Sequence, residues 1–277
     1  LTQDALRNKA MSVDEDGFCT AMERQRSEAR AAWSGSGDSL MEEVWFPIRE
    51  KQGATEFLGY ETESAEGRIL AIIVNGEQVN TATVDEKASV VVNQTPFYGE
   101  SGGQIGDSGE IRCGDALLSV DCAQKKLGDL HIHTGMISGG TFEVGNEVTL
   151  EVNHQRRSGL RDNHSATHLL HAALRRKLGD HVTQKGSLVS PDRLRFDISH
   201  PKPITADEIA YVEAEVNAEI RANSSVTTLL MTPDEAIDAG AMALFGEKYG
   251  NEVRVVSMGD GYSKELCGGT HVERTGD

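Results

Sequence analysis

Three patterns of apolar and polar positions follow one another along the chain. Ser12 and Glu15 fit a capping box, and the residues after them read as helical through Trp33. Ser34-Gly35-Ser36-Gly37-Asp38 then breaks the helix as a short flexible linker. From about Val44 to Val152 the period changes to short β-branched runs separated by Gly and Asn. Ile69–Val74 runs into Asn75-Gly76, a hairpin signal, and 89–93 is a similar run. Many short strands with turns between them predict a small antiparallel barrel. The last stretch mixes periods. Residues 154–178 read as a helix, or two in succession, stopped near Gly179. Thr205 and Glu208 cap a second helix, with Ile209, Val212, Val216 and Ile220 on one face. Thr232-Pro233 with Glu235 starts a short third helix. A hairpin is expected over 187–199, turning at Pro191-Asp192, with strands at 226–231 and 253–258.

The expected fold class is therefore α+β: a short helical N-terminal segment, a small antiparallel β-barrel-like domain, then an α+β domain with helices on an antiparallel sheet. The expected boundaries are 1–42, 43–152 and 153–277. No internal repeat appears. The absence of any run of 18 apolar residues predicts no membrane span. The chain opens on Leu1 without a signal-like segment, and it reads as an excerpt of a longer polypeptide.

Composition narrows the partners. The chain holds 27 Lys and Arg against 44 Asp and Glu, a formal charge of −17, which argues at first sight against nucleic acid. The balance is uneven, because 151–200 is locally basic, with Arg156, Arg157, Arg161, Arg175, Arg176, Lys177, Lys185, Arg193 and Arg195. Such a stretch is either a solvated helix face or a patch that meets one RNA end. The four cysteines are scattered, as expected of a reduced, cytoplasmic protein. Cys19, Cys113 and Cys122 have no ligand-like neighbours and read as packing residues.

Two short motifs carry chemistry. His164 and His168 stand four apart on the long helix, so one turn brings both imidazoles to the same face. Cys267-Gly268-Gly269-Thr270-His271 adds a thiol and an imidazole around two glycines. Together the pairs supply the four N and S ligands that zinc prefers. The Gly268 and Gly269 amides are candidate donors to an oxyanion. His171 continues the face of His164 and reads as a neighbour of the site or as a further ligand. His131 and His133 read as a partly exposed strand pair. Gln184, before the predicted hairpin, has an amide suited to a substrate or water. Gly102-Gly103-Gln104, inside the glycine-rich run 97–104, is a tight turn that exposes backbone, similar to the tripeptide of peptide release factors.

With these residues in hand the chain resembles the editing portion of alanyl-tRNA synthetases. The resemblance rests on 164–171, on 184–187, on 267–276 and on the glycine-rich run continued to Gly109, and it extends across nearly the whole chain. It implies hydrolysis of Ser-tRNA(Ala) and Gly-tRNA(Ala), with zinc on His164, His168, Cys267 and His271. It implies that Gln184 lines the pocket, that Thr167 touches a serine hydroxyl, and that Gly102, Gly103 and Gln104 face the substrate. The implied partners are the acceptor end of mischarged tRNA(Ala) and the remainder of the synthetase, with no membrane. A stand-alone editing factor and a structural zinc module that binds tRNA without hydrolysis are the alternatives.

Overall fold

The computed structural model describes residues 43–242 and 251–277. The helix and linker expected over 12–38 lie outside the described residues. The described residues from Val44 onward form one compact unit.

That unit starts with a helix where the sequence pattern suggested strands. Helix α1 (Trp45–Gln52) buries Trp45 and Ile48, one turn apart, and ends at Gly53, whose φ is 82°. Both side chains pack on Ala71, Ile73, Val91, Leu130 and Ile132. The i, i+3 pair was too short a stretch of helical period to be read as such.

Two short pairs, β1 (Glu56–Phe57) with β6 (Gln94–Thr95) and β4 (Thr81–Thr83) with β10 (Thr141–Glu143), accompany a barrel that closes from six strands. The six are β2 (Ser64–Val74), β5 (Lys87–Val92), β7 (Gly109–Cys113), β8 (Ala116–Lys126), β9 (Leu130–Gly139) and β11 (Glu147–Val152). The order runs β11-β7-β8-β9-β5-β2, every neighbour is antiparallel, and β11 pairs back onto β2 to complete the ring. Closure removes the exposed edges of a flat sheet. Alternation sorts the side chains: Val148, Leu150 and Val152 of β11 join the interior while Glu147, Thr149 and Glu151 face water. Ile69, Ile111, Leu118, Ile137 and Phe142 fill the same core. At the expected hairpin, β2 turns through Asn75 (φ 54°) and Gly76 (φ 84°) into β3 (Glu77–Val79). Two positive φ values in a two-residue loop are what the Asn-Gly signal stands for.

Beyond the barrel, Asn153 caps helix α2 (His154–Leu178) by accepting the Arg156 amide, and Gly179 ends it with a φ of 112°. It is one unbroken helix of 25 residues. One side of α2 buries Leu169 and Ala172 against Val256, Met258 and Tyr262. Another packs Ala173 and Leu174 on Val212 of α3 (Ala206–Ala222), which carries the expected Thr205–Glu208 capping box. A three-stranded antiparallel sheet of β14 (Val226–Met231), β15 (Val253–Met258) and β16 (Ser263–Leu266) lies beside it, with the capped helix α4 (Pro233–Asp238) between the first two in sequence. The hairpin is β12 (Gln184–Val189) and β13 (Leu194–Ile198).

A buried ion pair ties α2 to the barrel. Arg157 and Asp107 are both fully buried, with Arg157 Nε 3.0 Å from an Asp107 carboxylate oxygen. The guanidinium also donates to the Gly59 and Pro96 carbonyls, and Asp107 accepts the Tyr98 amide. Arg157 is therefore no part of a basic surface. The neighbouring cations are similarly engaged: Arg161 on Glu63, Arg175 on Asp180, Arg195 on Asp197, Arg176 over Tyr262 and Lys177 over Tyr211. Among the described residues, no helix is long and apolar enough to cross a membrane.

Candidate metal centre and its cavity

The two motifs meet. His164 and His168 on α2 face the turn that follows β16, and one ligand atom from each of His164, His168, Cys267 and His271 lies within 4.8 Å of the others. Cys267 is held by its amide on the Arg254 carbonyl of β15. Gly269 needs its hydrogen: a Cβ there would stand 2.1 Å from His164 Cε1.

Each imidazole is gripped from outside at Nδ1. Gln104 Oε1 accepts from His164 Nδ1 at 2.7 Å. Glu265 of β16 accepts from His168 Nδ1 at 2.8 Å, and His271 Nδ1 is 3.2 Å from Ser165 Oγ. Such outer contacts fix ring orientation and tautomer in metal sites and leave Nε2 as the ligand atom. Here Nε2 of His164 and of His271 lie 3.5 and 3.3 Å from Cys267 Sγ, and His168 Nε2 is buried with no partner. A tetrahedral zinc, with bonds of about 2.3 Å to S and about 2.0 Å to N, spaces such ligands about 3.5 Å apart. The donor set and its spacing fit a metal ion of this kind.

The charges follow the same logic. Burial opposes a thiolate at Cys267, yet His164, His271 and His168 together hold its pKa well below the ordinary value. Burial equally opposes an imidazolium at His168, and Glu265 with Cys267 raises its pKa well above the usual one. Burial pushes His271 down to about 3. Glu265, despite burial, is held down to about 2, chiefly by His168. The Glu265 carboxylate is thus an acceptor only, and it takes a second hydrogen bond from His171 Nδ1 at 2.9 Å.

A cavity of about 310 Å³ borders the cluster, and His164, His168 and Cys267 form part of its wall. Thr167, His171 and Gln184 line it too, as do Gly102 and Phe196. Thr167 Oγ1 donates to the Asn163 carbonyl at 2.8 Å, which leaves its oxygen free to accept. Gly103, with a φ of 87°, packs so closely on β12 that a Cβ would be 2.7 Å from the Ser187 carbonyl oxygen. Gln104 is fully buried, and its amide is taken up by His164 and by both the hydroxyl and the amide of Thr270. The glycine-rich turn thus contributes backbone at Gly102 and a support for the His164 ring at Gln104. The Gly269 amide donates to Cys267 Sγ, so it is occupied rather than free for an oxyanion. Lys185, exposed, and Gln184, half-buried, sit at the start of β12.

Sequence reasoning missed Glu265, whose only signal was an acidic residue two before Cys267 in a strand that was itself unread. The expectation for His131 and His133 is corrected. Both are buried, His133 completely, between Thr95 Oγ1 and the Val90 carbonyl. This face of β9 is covered by Phe57, which stacks on His131, and by Phe97, which meets His133 edge-on, contacts that a strand pattern alone does not reveal. Cys113 and Cys122 are free, partly buried and away from the cluster; Cys19 lies outside the described residues.

A closed barrel joined to an α+β portion with a three-imidazole, one-thiol cluster can now be set beside known proteins. Residues 1–156 match the family described as tRNA synthetases class II (A), and residues 253–277 match the Threonyl and Alanyl tRNA synthetase second additional domain. The chain belongs to the class II (A) tRNA synthetases, and within them it is a segment of the alanyl type. It is 60% identical over 283 residues to the alanine–tRNA ligase of Paramagnetospirillum magneticum. It is 60% identical over 285 residues to that of Granulibacter bethesdensis and 58% identical to that of Parvibaculum lavamentivorans. In each comparison all of this chain is covered, and it spans 32% of the relative's length.

Proposed function

We propose that this segment hydrolyses the ester of mischarged Ser-tRNA(Ala) and Gly-tRNA(Ala), using one zinc ion held by His164, His168, Cys267 and His271. The observation that carries the reading is the set of three imidazoles, each gripped at Nδ1 and turned with Nε2 inward around one thiolate, beside a cavity. Zinc, when bound, supplies Lewis-acid chemistry, polarising an ester oxygen or lowering the pKa of water to about 7. The rest falls to the chain. The Gln184 amide orients the aminoacyl group or a water, and the Thr167 oxygen accepts from a substrate donor. The Gly102-Gly103 backbone turn borders the route of the acceptor end, with Gln104 holding His164 in place. In this reading 43–152 presents the turn and 153–277 holds the metal, in the cytoplasm and with the remainder of the synthetase gripping tRNA.

A structural zinc module is the rival, because four protein ligands are the usual mark of a closed site. Against it stands the cavity, which reaches three of the four ligands. The test is metal content and hydrolysis in one preparation. About one zinc per chain and release of serine from Ser-tRNA(Ala) are expected, both lost in Cys267→Ala. Zinc bound with no hydrolysis at any protein concentration would leave the structural module.

A further inference from the structure

Resting on the metal-centre reading, we infer that Tyr60 and Arg254 are positioning residues for the cluster. From outside the 267–271 turn they aim two of its amides, one at the Cys267 sulfur and one at the support of His164. The turn has little of its own to hold it there, since Gly268 and Gly269 carry no side chains. Their carbonyls are held instead. Tyr60 Oη donates to the Gly268 carbonyl at 2.6 Å, across 208 residues of sequence. Arg254 Nη1 donates to the Gly269 carbonyl at 3.1 Å. The two holders brace each other, with the Arg254 guanidinium 3.3 Å from the centre of the Tyr60 ring. Both stand on fixed backbone. Arg254 belongs to β15, and its carbonyl accepts the Cys267 amide. Tyr60 follows Gly59, whose carbonyl is gripped by the buried Arg157, and the Glu61 and Thr62 amides close the turn on the Leu58 carbonyl.

A peptide unit is planar, and in the trans form its C=O and N–H point opposite ways. A carbonyl drawn outward therefore turns the next amide inward. With the Gly268 carbonyl on Tyr60, the Gly269 N–H meets Cys267 Sγ at 3.4 Å. With the Gly269 carbonyl on Arg254, the Thr270 N–H meets Gln104 Oε1 at 3.1 Å. That same oxygen is 2.7 Å from His164 Nδ1. Each contact outside the turn is thus paired with one inside, and the inner pair reaches two members of the cluster, Cys267 and His164. The donors are a hydroxyl, a guanidinium and backbone amides, and the carbonyls can only accept, so no step depends on which nitrogen of a histidine holds a proton. An N–H on a thiolate draws charge from the sulfur and weakens its donation to a bound metal, one of the means by which a protein tunes such a site. Tyr60 is 41% exposed and lines the cavity with the cluster, so its hydroxyl acts on the turn without being part of the packed core.

The experiment uses Tyr60→Phe, which keeps the ring beside Arg254 and removes only the hydroxyl. Cobalt(II) in place of zinc makes the sulfur visible through a sulfur-to-cobalt charge-transfer band. The variant should still bind about one cobalt per chain and keep its urea midpoint, while that band moves to lower energy, as a sulfur deprived of a hydrogen bond requires. In the metal-free chain the Gly269 amide should exchange its hydrogen about 3- to 10-fold faster in Tyr60→Phe than in the unaltered protein. Arg254→Met, which keeps a long stem without a donor, should speed exchange at the Thr270 amide by a similar factor. An unmoved band and unchanged exchange in a folded Tyr60→Phe chain would overturn the inference and leave the hydroxyl a mere surface contact. A lowered urea midpoint with faster exchange throughout the chain would also overturn it, by making Tyr60 a residue of the fold. Failure of the unaltered chain to bind cobalt, or a bound cobalt without a sulfur band, would instead sink the metal-centre reading. The metal-free exchange rates at Gly269 and Thr270 would then still decide whether the two residues aim the turn.

Discussion

At the scale of single residues, the proposed metal centre would depend on atoms that never touch the metal. Gln104 is the clearest case, since its carbonyl oxygen accepts from both His164 Nδ1 and the Thr270 amide. Gln104→Leu should keep the fold and weaken zinc binding about 10- to 100-fold, as removal of such supports does elsewhere. Competition with a coloured chelator reads this directly, and unchanged affinity would show that His164 needs no support. The buried barrel histidine makes a different prediction. Burial pushes His133 from 6.5 down to about 3. Between those values the unfolded chain binds a proton that the folded one does not, so stability rises with pH across the window and is lost as pH falls below 6.5. The slope is at most about 1.4 kcal/mol per pH unit. Urea unfolding at several pH values should show that slope reduced in His133→Gln, and parallel profiles would contradict it. The four residues of the cluster were legible because Cys, His and Gly at fixed spacing have few other uses. Glu265 and the true place of Gln104 were not. Their roles come from contacts across 97 and 60 residues of sequence, which no local pattern encodes.

Among elements, the junction between barrel and α2 decides where the two histidines of that helix stand. Arg157 sits two turns before His164, and it is anchored on Asp107 in the glycine-rich segment. Replacing one partner of such a pair strands a buried charge, typically at a cost of about 3–5 kcal/mol. Arg157→Leu should lower the urea midpoint accordingly, and the double variant with Asp107→Leu should recover part of the loss. Additive losses would mean that the two side chains act separately. Sequence pattern located the strands and helices well where a cap or turn residue marked them: Asn75-Gly76, Thr205 with Glu208, and Thr232 with Glu235 all stand where such residues should. It failed at α1, which is short and lacks a side-chain cap. It also failed at β16, four residues long, whose Ser263, Glu265 and Leu266 are all buried, so no alternation shows.

For the whole molecule, the charge pattern and the catalytic reading have to be reconciled. Much of the basic stretch between 151 and 200 is paired with carboxylates and aromatic rings of the same chain, and the formal charge is −17. Complete chemical apparatus and a weak hold on RNA are therefore expected together, with cleavage visible mainly at high protein concentration and declining with salt. The barrel and the α+β portion are one compact unit, and the cavity is walled by both, with Gly102 on one side and Gln184 on the other. The most direct test is a pair of time courses under identical conditions. The zinc-loaded chain is mixed in excess with Ser-tRNA(Ala) or with Ala-tRNA(Ala), with Cys267→Ala as the control. The account predicts that the seryl ester is cleaved, that the alanyl ester survives much longer, and that the control cleaves neither. Equal rates for the two esters would contradict it, even with hydrolysis in both.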